Sequence, residues 1–408
     1  MKLLHTADWH LGKRLDHVSR LAEQKDVLAE ICEIADQEEV DAVLIAGDLF
    51  DTVNPSIEAI ELFYQTLKKL ANNGQRAVIG IAGNHDSPDR IEAPDPLARE
   101  CGIILTGYPN SQVPHFKLES GLEVLRSDKG FLELKLPGSE HPLRLILTPY
   151  ANEIRLKKAL GSEAEEEALR SVLESSWKTS ADAYCDDQGC NVLMTHLFVI
   201  AREGAEKPEE IEGEKPILTV GGASEIYAQN FPENIQYVAL GHLHRAHQVT
   251  HPAFPIWYSG SPLGYSMSEA GQQKYVNILE LAPGKTTEVR QLPLKAGRKL
   301  LRLKAESVEE ARKLLKENPN SWVELSLSLT DFLTAAERKL LLEENDGLIS
   351  IIPQIQDSSE EQAEGYSVDL SKDMESLFRD YFQHKHQQAP NENILSLFKE
   401  VISQEEEA

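Results

Sequence analysis

The chain has 408 residues, 41% of them hydrophobic, and a formal net charge of −26. A chain of this size buries a large core in more than one domain, and it carries no uncharged apolar run of the length a membrane helix needs. The acidic balance excludes a protein that holds nucleic acid by bulk attraction, because non-specific affinity for a phosphate backbone comes mainly from Lys and Arg.

The start, Met1 to His10, runs straight into polar residues with no room for a signal peptide, and Cys32, Cys101, Cys185 and Cys190 show neither CxxC nor zinc-ribbon spacing. Both features lead us to expect a cytoplasmic protein with ordinary thiols. Residues 1 to about 107 alternate strand and helix: strands at 2–7, 42–46 and 77–82, helices at 19–37 and 57–72, with Asn72-Asn73-Gly74 as a C-cap. This βαβαβ order predicts a mostly parallel sheet with helices packed on it. From Val113 to Tyr150, short alternating runs between turn residues predict antiparallel hairpins.

Asn152 to Ser180 reads as a helix with a solvated acidic face at Glu163, Glu165, Glu166 and Glu167, and residues 203–216, rich in Glu, Gly and Pro, as a surface loop. Strand, helix, strand, helix and strand follow between 301 and 355, the first helix opened by Ser307 with Glu310 three residues on. Asp357 to Gly365 is a linker by composition. Beyond it, Met374, Leu377, Phe378, Tyr381 and Phe382 recur at helical spacing, which predicts an apolar face suited to a partner. From Leu301 onward there are 23 Asp and Glu against 11 Lys and Arg, so this part is not expected to lie on DNA.

Five apolar runs end in polar residues of one chemical kind. Leu3 to Ala7 delivers Asp8 and His10, Val43 to Gly47 delivers Asp48, and Ala77 to Ala82 delivers Gly83-Asn84-His85-Asp86. Val192 to Thr195 delivers His196, and Tyr237 to Gly241 delivers His242 and His244. Runs of this kind are strands buried on both faces, and ligands collect beyond the carboxyl ends of such strands. Asp, Asn and His supply oxygen and neutral nitrogen with no thiolate, a set suited to Mn, Fe, Mg or Zn. Asp8, His10, Asp48, Asn84, His196, His242 and His244 are seven ligands, enough for two ions if one carboxylate bridges them. Such a pair clamps the attacking and leaving oxygens of a phosphoryl displacement.

The order and spacing of Thr6-Ala7-Asp8-Trp9-His10-Leu11-Gly12, Gly47-Asp48-Leu49-Phe50-Asp51-Thr52, Gly83-Asn84-His85-Asp86 and Gly241-His242-Leu243-His244 resemble the calcineurin-like metallophosphoesterase superfamily. With the segment Tyr258-Ser259-Gly260-Ser261-Pro262-Leu263-Gly264-Tyr265-Ser266, the match is closer to its bacterial DNA-repair nuclease branch. The resemblance implies an α/β fold, a metallophosphoesterase β-sandwich flanked by helices (αββα). It implies a nuclease domain over 1–285, a small α+β capping domain over 300–356, a linker over 357–371 and a helical partner-binding tail over 372–408.

It further implies a first ion on Asp8, His10, Asp48 and His244 and a second on Asp48, Asn84, His196 and His242. Both would be Mn²⁺, with Mg²⁺ or another divalent ion as substitutes. His85 would face the scissile phosphate and help the leaving oxygen take a proton, with Asp86 as its orienting partner. Asp51 stands where some relatives carry a His and is left out of the catalytic set. The implied activity is metal-dependent hydrolysis of DNA, a 3′ to 5′ exonuclease on duplex ends and an endonuclease on hairpins and single strands, serving repair, replication and recombination. The implied partner is an SMC-like ABC ATPase with long coiled coils, and the implied assembly a homodimer within a heterotetramer. A phosphoesterase acting on small phosphodiesters or phosphoproteins, and a catalytically silent scaffold, are the alternatives.

Overall fold

A computed structural model describes residues 1–151, 166–202, 204–205, 225–329 and 333–355, together with 376–379, 382, 390 and 395. The expectations for Glu163 and Glu165, for most of the loop 203–216, for the linker and for most of the tail lie outside the described residues.

Strands β1 (Lys2–Thr6), β2 (Ala42–Ile45), β3 (Ala77–Ile81) and β4 (Ile103–Thr106) pair in parallel. The antiparallel meander β5 (Glu123–Asp128), β6 (Phe131–Lys135) and β7 (Leu143–Thr148) then opens a second sheet. β8 (Cys190–His196), β9 (Tyr237–Gly241), β10 (His247–Val249) and β11 (Ile256–Tyr258) complete it, in the order β10-β11-β9-β8-β7-β6-β5. The chain returns to the first sheet with β12 (Tyr275–Glu280), antiparallel to β1, and β13 (Glu288–Pro293), so the two large sheets end past the expected 285.

The apolar runs of β1, β2, β3, β8 and β9 are continuous because each of these strands buries both faces. Along β2, Ala42 and Leu44 pack in the layer between the sheets, with Ile79, Leu145, Val192 and Ala239. The alternate residues, Val43 and Ile45, pack on helices α1 (Leu21–Gln37) and α2 (Ile57–Ala71) through Val27, Ile31, Phe63 and Leu67. Along β8, Val192 and Met194 take the middle layer, and Leu193 faces Leu173 and Trp177 of α3 (Glu166–Tyr184). The result is helix, sheet, sheet, helix, as expected. Among the described residues no helix is long and apolar enough to cross a membrane.

A third, parallel sheet of β14 (Lys299–Ala305), β15 (Ser321–Leu329) and β16 (Leu348–Ile355) has its own core with α4 (Val308–Glu317) and α5 (Ala335–Glu344), built on Ala311, Leu315, Val323, Leu325 and Leu341. It meets the larger body through Leu15, Leu300 and Trp322, and through Glu23, whose carboxylate accepts from the Trp322 Nε1 and the Arg298 backbone N–H. Residues 1–355 form one compact unit and 356–408 another. Within the second, Ser376–Arg379 is helical and the Phe378 and Phe382 rings lie 5.8 Å apart. Because Leu44 is fully buried in the middle layer on the strand that delivers Asp48, Leu44→Ala is expected to cost roughly 2–5 kcal/mol. The shift in denaturation midpoint measures it.

Candidate metal centre

Strands β1, β2 and β3 of the first sheet and β8 and β9 of the second all end at one edge of the sandwich. Beyond their last ladder bonds, the loops after β1 and β2 continue to pair: Asp8 N–H donates to the Gly47 carbonyl (3.0 Å) and His10 N–H to that of Asp48 (2.9 Å). To turn their side chains into a common space, Asp8, His10 and Asp48 take φ of +53°, +44° and +48°, and His242 takes +105°. Non-glycine residues rarely adopt such values, and they gather where function requires them. Gly47, at φ +93°, leaves room for His196, since a Cβ there would lie 2.2 Å from its Nδ1; a Cβ on Gly83 would lie 2.1 Å from Asp48 Oδ1.

The seven candidate ligands meet around Asp48. Its Oδ2 lies 3.2 Å from His196 Nε2 and 3.5 Å from His10 Nε2, so it stands between the two expected ligand groups. On one side, His10 Nε2 and His244 Nε2 are 2.9 Å apart, and both rings share a cluster with Asp8. On the other, Asn84 Oδ1 is 3.0 Å from His196 Nε2 and 3.1 Å from His242 Nδ1. Asp8, His10, Asp48, His196 and His244 are buried, while Asn84, His85 and His242 are half-buried and form the open side.

Behind the rings stand groups that fix which nitrogen points inward. His196 Nδ1 lies 2.8 Å from the Ala46 carbonyl, so that nitrogen carries the hydrogen and Nε2 is the donor atom offered to the site. His244 Nδ1 is backed at 3.6 Å by Glu269 Oε1. Burial works against the Glu269 anion, and Lys274 and His244 overcome it, holding the carboxyl down at about 2.

Electrostatically the site draws cations. Burial pushes the Asp8 carboxyl up to about 7, against the opposing pull of His196 and His244, and Asp8 Oδ2 is buried with no hydrogen-bond partner. Burial drives His10 well below the ordinary imidazole value, so it is a neutral nitrogen donor. Burial would also lower His196, but the charges of Asp48 and Asp8 raise it to about 9, which shows how strongly these carboxylates favour a positive charge beside its Nε2. An unsatisfied buried carboxylate oxygen, imidazole nitrogens aimed at one another and a ligand set without thiolate together fit divalent cations bound by oxygen and nitrogen.

His85 lies at the open side. Its backbone N–H donates to Asp48 Oδ1 (2.9 Å) and its ring stands edge-on to His10, with centroids 4.8 Å apart. The sequence pairs the ring with Asp86, but its Nδ1 instead meets the Asp51 carbonyl oxygen at 2.8 Å. The buried Asp86 carboxylate turns the other way and accepts from the backbone N–H groups of Leu49, Phe50 and Gly83 at 3.0, 2.9 and 2.8 Å, tying the Asp48 loop to the Asn84 loop. Burial, then the charge of Asp48, raise it to about 6 against those three bonds.

Four supporting residues escape sequence reasoning. Asp51, left out of the expected catalytic set, carries the carbonyl behind His85 and a carboxylate 3.8 Å from His10 Nδ1, paired with Lys13 Nζ at 2.9 Å. Gln24, buried in α1, donates from Nε2 to the His10 carbonyl (2.8 Å) and accepts the Gly12 N–H (3.0 Å). Its signal was present: a lone amide on the apolar face that runs through Val27, Leu28 and Ile31. Glu269 and Lys274 gave none, being separated from His244 in sequence by two strands and the Tyr258–Ser266 segment. His5 packs on Tyr237, His247 on Tyr258 and His251 on Phe254, while His17 is exposed, and none of them joins the ligand set.

Residues 1–246, which include all seven candidate ligands, match the calcineurin-like phosphoesterase family. A Bacillus subtilis (strain 168) protein, named as the D subunit of the nuclease SbcCD, is 35% identical over 100% of this chain and 99% of its own length. The protein of that name from Rhodobacter capsulatus is 32% identical over 77% of this chain and 74% of its own, and that from Escherichia coli K12 29% over 83% and 81%. The family match and these relatives place the chain in the calcineurin-like phosphoesterase family, within the group formed by the D subunits of SbcCD nucleases.

Proposed function

We propose that the chain is the nuclease subunit of an SbcCD-type complex, hydrolysing DNA phosphodiester bonds with two Mn²⁺ ions. The observation that carries the reading is the position of Asp48, whose one carboxylate oxygen lies within 3.5 Å of a nitrogen from each ligand group. Asp8, His10, Asp48 and His244 would hold one ion, and Asp48, Asn84, His196 and His242 the other. When bound, the pair neutralises phosphate charge and acidifies water.

The chain's own residues do the rest. The strained loops hold the ligands in place before substrate arrives, so little reorganisation accompanies the reaction. Donating its Nδ1–H to the Asp51 carbonyl fixes the ring of His85 and leaves Nε2 as the nitrogen that can carry a proton to the leaving oxygen. Asp86 contributes by joining the two loops from beneath. The small sheet over 299–355 is read as the capping domain, and the tail over 372–408 as the segment that docks on an SbcC-type SMC-like ABC ATPase. That partner would supply much of the DNA grip that a chain of net charge −26 lacks. The complex would hold two copies of this chain and act on duplex ends, from 3′ to 5′, and on hairpins.

Labelled hairpin DNA offered to the chain with its ATPase partner tests the reading: cleavage with Mn²⁺ and ATP is expected, whereas turnover of small chromogenic phosphodiesters alone would contradict it. His85→Gln is expected to keep both ions and lose about 10²- to 10⁴-fold in cleavage rate; loss of metal alongside activity would make His85 a ligand instead. Gly83→Ala places a methyl against Asp48. Its bound metal should fall while circular dichroism reports a retained fold, and full metal content would argue against a bridging Asp48.

A further inference from the structure

The segment Tyr258–Ser266 and the turn that follows have no part in the chemistry above, yet they pass directly beneath the ligand pair His10 and His244. The Ser261 N–H donates to the His244 carbonyl at 3.1 Å, and Tyr265 stands edge-on to both rings, with centroids 5.7 Å from His10 and 6.0 Å from His244. Behind them lies Glu269, its side chain fully buried. Its Oε1 accepts the backbone N–H groups of Tyr265 (2.7 Å) and Ser266 (3.1 Å), and its Oε2 meets Lys274 Nζ. Lys274, itself buried, also donates to the His244 carbonyl and to Ser261 Oγ, both at 3.0 Å.

A buried ion pair is expensive to desolvate, and an apolar pair of similar volume would pack the same turn as well or better. What the charges add is direction. Glu269 Oε1 lies 3.6 Å behind Nδ1 of an imidazole whose Nε2 faces His10. On the far side of Asp48 the arrangement differs, because His196 is backed by a neutral carbonyl, that of Ala46. A carboxylate behind a ligating imidazole fixes its orientation and makes the inward nitrogen a stronger donor, and losing such a group typically costs about 10- to 100-fold in metal affinity.

We infer that Glu269, anchored by Lys274, is a positioning residue for His244, so that the cation site of Asp8, His10, Asp48 and His244 depends on it while the site of Asn84, His196 and His242 does not. This rests on the two-cation reading above. Titrating the full-length chain with Mn²⁺, followed calorimetrically and by the electron paramagnetic resonance of unbound Mn²⁺, tests it. The wild type should take up two ions. In Glu269→Gln one of the two should bind roughly 10- to 100-fold more weakly, with the other unchanged, and Asn84→Ala should remove the one that survives. Because Glu269→Gln leaves a buried ammonium unpaired, the double variant Glu269→Gln/Lys274→Met, which removes both charges together, serves as the folded reference and should show the same one-sided loss. Two ions bound with unchanged affinities, or both weakened alike, would overturn the inference and leave the two-cation reading standing. Fewer than two ions in the wild type would overturn both.

Discussion

The structure depends on bringing the carboxyl ends of two different sheets to one aspartate. Asp48 belongs to the first sheet and His196 to the second, yet their side chains approach to 3.2 Å. That approach requires a backbone without side chains at Gly47 and Gly83, and left-handed conformations at the ligands themselves. Such conformations cost of order 1–3 kcal/mol each, and they persist only where the surroundings over-determine them. The middle layer does so: Leu44 and Ala239, two of its fully buried residues, lie a few positions before Asp48 and His242. Packing in the core therefore sets the spacing of the ligands.

The same constraint explains the charge distribution. Buried carboxylates and imidazoles are unfavourable without compensation, and within the site the protein offsets them partly against each other, with Asp48 and Asp8 raising His196 while His196 pulls Asp8 down against its burial. One half of the site is braced by further charges, Asp51 with Lys13 and Glu269 with Lys274. On the other half His196 is backed by a neutral group, the Ala46 carbonyl, while the Asp86 carboxylate ties the Asn84 loop to the Asp48 loop. The two halves are thus chemically unequal, although their ligand types are similar.

Much of this was legible in the sequence because strands buried on both faces produce unbroken apolar runs, and a polar residue at the end of such a run stands out. Asp8, His10, Asp48, Asn84, His196, His242 and His244 were found that way, and the structure brings all seven together. What sequence could not carry was contact between distant segments. The return of Tyr275–Glu280 to pair with β1 is a non-local choice that no turn signal announces. The His85 partner is a backbone carbonyl, which has no residue identity to read. Glu269 looks in the sequence like any acid in a short cap, and only the fold shows which imidazole lies in front of it.

The function proposed for this chain turns on cations held on either side of Asp48, and crystals grown with Mn²⁺ and recorded at the manganese absorption edge test that most directly. Two anomalous peaks about 3.5 to 4 Å apart are expected, one toward His10 and His244 and one toward His196 and His242, with the Asp48 carboxylate between them. A single peak, or peaks that Asp48 does not touch, would contradict it.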